Sequence, residues 1–434
     1  MDATLNSPLR RVVITGLGVV APNGIGKEPF WQSCLAGRSG LRRITRFDAS
    51  ILPSQVAGEV ADFDPLQFGL TPNEITSLDR AAQFALAAAN MALDDAQIGD
   101  ALTAAQRERT GVMMGLALAC LEEGERLWVR MTDQGACPPR LIEDEALPAS
   151  LMMSHAAASS IAAHHHLHGP SLVIATGCSA GADAIGQAFW AIQEEAADLM
   201  LAGGTDSAIS YTLLDVFCVM GALSTGYNDT PSRASRPYDN RRDGFVVAEG
   251  AGVLLLEERE HALARGAHIY AEIVIFASNS NAHHMTSLPA SGQPLQRLLR
   301  QTMDEAGVTP QEIGYINAHG SSTPPNERAE TAAYKAVLGE HAARIPISAT
   351  KSMIGHSQGA ASAIETVVTA LVLDRQVIPP TINQEEPDPE CDLDYVPNQA
   401  REASVRLAVT HSSGFGGVNS ALLLGRADWD RWHE

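Results

Sequence analysis

The sequence predicts an α/β protein built from two similar halves. Short apolar runs of strand type alternate with longer helical stretches along the whole chain, the pattern of sheet layers covered by helices. A strand, a small-residue turn and a buried helix occur once in each half, as IATGCSAGADAIGQAFWAI and as ISATKSMIGHSQGAASAIETVVTALVL, which points to a repeated unit. The chain has 434 residues and 45% hydrophobic content, ample for a large core.

The first element is RRVVITGLGVVAP (Arg10 to Pro22), a buried strand running into a Gly-rich turn. It lacks the GxGxxG spacing and a following βαβ pattern, so a nucleotide site is not read there. Next, GRSGLRRITRFD gathers Arg38, Arg42, Arg43 and Arg46 in an otherwise acidic chain, either as a solvated loop or as a partner-docking patch. Pro72 to Ile98 predicts one amphipathic helix with an Ala-rich packing face, and Thr110 to Leu118 a buried strand. Leu121 to Ser160 is helical and irregular, with the character of a cap or lid. The run HHHLH (His164 to His168) invites a metal reading. Three consecutive histidines cannot all face one way, and no carboxylate or Cys stands at ligand spacing, so no metal site is assigned there or at His283-His284.

Asp198 to Ser207 is a further buried strand, and Ser235 to Glu258 a charged, Gly-punctuated loop returning into a strand. A second series follows: a strand in His268 to Asn281, a helix near Leu295 to Ala306, strands in Gly314 to Gly320 and Pro346 to Lys351, and a helix from Gly355 to Leu373. Two strands, RLAVTHSSG and VNSALLLG, close the chain around GFGG (Gly414 to Gly417).

Composition excludes several functions. The six cysteines lie far apart with no CxxC pair, which argues for a reducing compartment and against a disulfide scaffold or zinc ribbon. The start has no apolar signal core and no uninterrupted 18-residue apolar segment occurs, so the expectation is a cytoplasmic protein that does not enter the membrane. A formal charge of −21 speaks against generic nucleic-acid binding. An acidic protein partner would need a local basic patch.

Within this frame a few polar groups stand in apolar surroundings. Cys178 sits between a strand and a nearly all-apolar helix, flanked by Gly177, Ser179, Ala180 and Gly181. There the positive end of the helix dipole is expected to lower its pKa, and it reads as a nucleophile, whereas the other five cysteines read as small core hydrophobes. His319 ends a buried strand, and His356 opens a buried helix five residues beyond Lys351. Glu365 is the one charge in AASAIETVVTALVL and needs a partner, for which Lys351 is the nearest cation in sequence. A Cys with two His suits either a hydrolase, where one His holds the thiolate, or a carbon–carbon bond former, where two neutral imidazoles hold one developing oxyanion. Chemistry alone leaves both open.

ATGCSAG, INAHGSSTPPNE, ATKSMIGHSQGAAS and SGFGGVN, in that order, resemble the β-ketoacyl synthase family of the thiolase fold, and RPYDNRRDGFVVAEGAG and HHMTSLP fit the same pattern. The resemblance runs from about Arg10 to Leu424. It implies a thiolase-like five-layered α-β-α-β-α arrangement, with an N-terminal half (1–262) carrying the nucleophile and a C-terminal half (263–434) carrying both histidines. FGLTPNEITSLDRAAQFA, ERAETAAYKAVLGEHA and PPTINQEEPDPECDLDYVP are similar to the ketosynthase-alpha subunits of bacterial type II polyketide synthases, aromatic or polyene, and next to 3-oxoacyl-(acyl carrier protein) synthase II of fatty-acid synthesis. VNSALLL after GFGG is fatty-acid-like, and Gly221 falls where those enzymes tend to carry a carrier-docking Arg.

The resemblance implies residue roles as well. Cys178 holds the acyl chain, and His319 and His356 stabilise the enolate formed when malonyl-carrier protein loses carbon dioxide. Lys351 and Glu365 pair, and the backbone N–H groups of Cys178 and Ser413 form the oxyanion hole. Ser321, Thr323, Thr286 and Phe415 meet the pantetheine arm or substrate. The fatty-acid enzymes usually have an acyl-gate Phe before GFGG, whereas here that place is Ser413, as in the polyketide enzymes. No cofactor is implied, the substrates riding on the phosphopantetheine arm of an acyl carrier protein. The second subunit is either another copy or a chain-length-factor-like chain. A non-catalytic acyl-binding or dimerisation subunit is the rival of a different class, and the presence of Cys178, His319, His356 and Lys351 argues against it.

Overall fold

Runs of Val, Ile and Leu unbroken by polar alternation form strands covered on both faces. Val12–Ala21 is buried along its whole length, as is Leu199–Asp206. The computed structural model describes residues 9–99, 101–118, 120–140 and 153–429; part of the cap or lid read between Leu121 and Ser160 lies outside them.

The strands form two sets of the same design. The first runs, side by side, Ser171–Ile174, Thr110–Gly115, Leu199–Asp206, Gly250–Glu258 and Val12–Ala21. The second runs Ile347–Ser348, Ile313–Asn317, Leu407–Ser413, Val418–Gly425 and Ala271–Ser280. Numbered by sequence within each set, both read 3-2-4-5-1. In both, the first three strands are parallel and the last two antiparallel. The sets join through their own first strands, Val12–Ile14 pairing antiparallel with Ala271–Ile273. The repeat suggested by two similar turns is therefore a repeat of whole topology.

The two apolar helices, Ala180–Gln193 and Ala361–Arg375, pack against each other and against strands of both sets, so they form the middle layer. Arg80–Asp95 and Ala156–His165 cover the outside of the first set, and Gln293–Ala306, with Pro324–Leu338 packed on it, covers the second. Five α-β-α-β-α layers result, and the three apolar clusters between them are the core. No helix among the described residues is long and apolar enough to cross a membrane.

Some local expectations are corrected. Pro72 to Ile98 is two helices, Pro72–Ser77 and Arg80–Asp95, because Leu78 and Asp79 are extended. That break sends the Arg80 guanidinium onto the buried Glu249 carboxylate, with contacts of 3.0 Å. Arg46 leaves the basic patch: its side chain reaches inward to Glu122 at 2.7 Å and Glu249 at 3.0 Å. In HHHLH, His164 bonds Glu74 at 2.7 Å and His165 bonds Asn90 at 2.7 Å, so these rings tie the helix to its neighbours.

Where the first set meets the middle layer there is no spare room. A β-carbon on Gly115 would stand 2.2–2.3 Å from the Ala180 backbone and the Gly181 nitrogen. Gly115→Ala is expected to cost roughly 2–4 kcal/mol by forcing main chain apart. Denaturant unfolding of the variant checks this.

Candidate active site

The site is built where chain segments leave the strands. Ser171–Ile174 ends in a tight turn, Gly177–Ser179, that leads into the Ala180–Gln193 helix and presents Cys178. His319 follows Ile313–Asn317. Lys351 begins the short helix Lys351–Ile354. His356 lies outside the long helix, contrary to expectation, because that helix begins at Ala361. The His356 backbone instead pairs with the Gly-punctuated loop of the other half: its N–H donates to Val246 O at 2.7 Å and its carbonyl accepts from the Ala248 N–H at 2.9 Å.

One cavity of about 430 Å³ is lined by Cys178, His319 and His356. Ser321, Thr323, Thr286, Ser413 and Phe415 line it too. Lys351 and Glu365 are buried beside His319 and form an ion pair. The Lys351 Nζ also donates to the His319 carbonyl at 2.8 Å and lies 3.4 Å from His319 Nδ1.

The histidines are neutral donors. Burial, together with the Lys351 charge, holds both rings well below the usual histidine range. Gln358 N–H donates to His356 Nδ1 at 3.2 Å, which leaves the His356 proton on Nε2. The Lys351 ammonium facing His319 Nδ1 demands a lone pair there and puts that proton on Nε2 as well. Ser412 Oγ lies 3.1 Å from the same Nδ1, and its single proton is donated to the Cys178 carbonyl at 3.1 Å. The two rings stand 5.3 Å apart at 80°, edge to face.

Cys178 departs from expectation. Burial pushes its thiol up to about 11, outweighing the Lys351 charge and the N–H groups that favour the thiolate. The resting nucleophile is the thiol. The backbone N–H groups that favour the thiolate are those of Phe415 and Cys178 itself, so the N–H from the GFGG turn that acts on the sulfur is that of Phe415 rather than Ser413. The aromatic ring standing over the cavity is also Phe415, 38% exposed and 6.4 Å from the Phe245 ring. Phe245, whose ring lies 5.4 Å from that of His356, was not read from the sequence; an aromatic inside the polar loop RRDGF was the available signal. Ser412 was legible only as part of the closing strand RLAVTHSSG.

The Lys351–Glu365 pair is a stability element too. Burial raises the Glu365 carboxyl to about 7 despite the Lys351 charge beside it. Lys351→Met is expected to destabilise the protein by about 3–5 kcal/mol by stranding Glu365. The double change Lys351→Met/Glu365→Leu should recover most of that stability without recovering activity. Parallel thermal unfolding and turnover assays read both.

A thiol, two neutral N–H donors on one cavity and an oxyanion pocket on the sulfur define an acyl-transferring, carbon–carbon bond-forming site on a duplicated α/β fold. The chain belongs to the β-ketoacyl synthase family: residues 9–262 match the β-ketoacyl synthase N-terminal domain and 270–385 the C-terminal domain. It is 44% identical over 421 residues to the tetracenomycin polyketide synthase ketoacyl synthase alpha subunit of Streptomyces glaucescens, covering 96% of this chain and 97% of that one. It is 42% identical over 417 residues to 3-oxoacyl-[acyl-carrier-protein] synthase 2 of Coxiella burnetii, covering 96% and 99%. Among solved structures, it is similar to a type II polyketide synthase acyl-carrier protein in complex with its ketosynthase bound to the hexaketide. The TM-score is 0.89 at 39% identity, over 97% of this chain and 100% of that chain. The ishigamide ketosynthase/chain length factor matches with TM-score 0.86 at 35% identity, over 96% and 99%. The chain is a β-ketoacyl synthase, an acyltransferase.

Proposed function

We propose that this β-ketoacyl synthase is the ketosynthase-alpha subunit of a type II polyketide synthase. In this reading it condenses malonyl-acyl carrier protein with an acyl chain held on Cys178. The observation that carries the chemistry is the single cavity onto which Cys178, His319 and His356 all open, with two backbone N–H groups on the sulfur. The halves divide the work, 1–262 supplying the nucleophile and 263–434 the histidines.

In the first step the carrier thioester acylates Cys178 and the carrier thiol leaves with the proton. In the second, the malonyl C–C bond breaks, carbon dioxide departs, and the electron pair becomes an enolate whose oxygen accepts from the Nε2–H of His319 and His356. The enolate carbon then attacks the acyl-Cys178 carbonyl, whose oxyanion accepts from the Cys178 and Phe415 N–H groups. Collapse expels the Cys178 thiolate, which regains a proton. Ser321, Thr323 and Thr286 offer hydroxyls to the pantetheine arm.

The polyketide assignment rests on the relatives: four in ten residues or more are shared with ketosynthase-alpha subunits over nearly the whole chain. A subunit partner is supported by the edge strand Ser171–Ile174, paired on one side only among the described residues, with Leu172 52% exposed. We assign this edge to a chain-length-factor-like subunit, following the heterodimeric ishigamide relative. The fatty-acid reading is favoured by the Coxiella burnetii relative at 42% identity.

Intact-mass analysis with hexanoyl- and malonyl-carrier protein decides between them. Elongation only when a second ketosynthase-like chain is co-expressed supports the polyketide subunit. Elongation by the chain alone overturns it in favour of a homodimer of the fatty-acid type.

A further inference from the structure

The strand Leu199–Asp206 reads in sequence as a buried strand ending in glycines, and its last residue had no role. Asp206 is fully buried and accepts hydrogen bonds from three backbone N–H groups. Its Oδ2 accepts from Gly359 at 2.7 Å and from Ala117 at 2.9 Å, and its Oδ1 accepts from Leu118 at 3.1 Å. Three segments meet on one carboxylate: the end of this strand, the exit of Thr110–Gly115, and the turn that carries His356.

Small residues make the meeting possible. A β-carbon on Gly359 would stand 2.8 Å from Asp206 Oδ2 and 2.7 Å from Ala117 N. One on Gly204 would stand 2.3 Å from Gly359 O and 3.0 Å from the Gly181 α-carbon. The nucleophile helix, the strand and the His356 turn are therefore in backbone contact, and Asp206 is the polar group at that contact. Gly359 directly follows Gln358, whose N–H fixes His356 Nδ1 as an acceptor. Burial raises the Asp206 carboxyl to about 7 against the pull of its three N–H donors.

We propose that Asp206 is a positioning residue: by anchoring the Gly359 N–H it holds the Gln358 N–H on His356 Nδ1, and so keeps the His356 Nε2–H aimed into the cavity. It touches neither substrate nor His356, and acts through the turn. This rests on the role given to His356 above.

The test compares Asp206→Ala and Asp206→Asn with the unaltered protein in whichever assembly is active. It measures acylation of Cys178, carbon dioxide release from malonyl-carrier protein, and the ring-nitrogen NMR shifts of His356. Asp206→Ala is expected to keep acylation within about threefold while decarboxylation falls more than about tenfold, a selective loss of transition-state stabilisation. Asp206→Asn, which still offers an oxygen to Gly359 and Ala117, should restore a good part of it. Equal losses in both steps, or loss in neither, would overturn the proposal. Where the Ala variant does not fold, the Asn variant carries the test. Reduced decarboxylation with unchanged acylation and a shifted His356 signal then supports it, and an unchanged protein overturns it. Unaltered protein that neither acylates nor decarboxylates would instead defeat the role of His356, a separate outcome.

Discussion

Cys178→Ala is expected to abolish acylation while malonyl decarboxylation continues. In the proposed mechanism the thiol bonds the acyl chain, whereas the enolate is held by His319 and His356, whose seats do not depend on sulfur. Ser412 donates to the Cys178 carbonyl, a main-chain atom the substitution keeps, and Lys351 holds the His319 carbonyl. Intact mass should show no acyl adduct, and carbon dioxide release should persist. Elongated product from this variant would remove Cys178 from the mechanism. A pH dependence accompanies it. With the thiol pushed up to about 11, the thiolate is the minor form at neutral pH. Cys178 alkylation should therefore keep accelerating well above pH 8.5, the ordinary thiol value, instead of levelling off there.

His356→Ala should show the reverse pattern. Acylation of Cys178 should remain within a few-fold, while decarboxylation and condensation fall by about 10²–10³, the usual cost of one preorganised oxyanion donor. The ring is fixed by its backbone pairing with Val246 and Ala248, by the Gln358 N–H and by contact with Phe245. Removing it leaves His319 as the lone side-chain donor. Single-turnover assays of the two half-reactions separate these outcomes; unimpaired condensation would count against His356.

The sequence made the side-chain chemistry legible because each group was a polar letter in an apolar word: Cys178 before a nearly all-apolar helix, Glu365 within an apolar run, His319 and His356 at junctions. In the structure Lys351 and Glu365 form an ion pair, and Cys178, His319 and His356 line one cavity. The misses share a physical cause. Phe415 contributes an N–H, which every residue but proline carries, so no letter distinguishes it from Ser413. The thiol pKa depends on how much water is excluded, which is set by both halves together and not by the turn around Cys178. Arg46 looked like surface because its partners, Glu122 and Glu249, lie far along the chain. The break at Leu78 and Asp79 in an otherwise continuous helical pattern likewise follows from Glu249, a tertiary demand that local periodicity does not encode.

The seam between the two strand sets bears on how the chain is made. Val12–Ala21 pairs along one edge with Gly250–Glu258, and Val12–Ile14 pairs on the other edge with Ala271–Ile273. Val12–Ala21 is thus without either of these long neighbours until Gly250–Glu258 and Ala271–Ile273 have been synthesised. Through that interval the apolar run VVITGLGVVA has within its sheet only the short hairpin contact of Val20 and Ala21 with Gly24–Ile25, and such long-range pairing slows folding and exposes the chain to aggregation. Yield of this protein on overexpression should therefore be governed by chaperone capacity and the rate of synthesis more than by the stability of the finished fold.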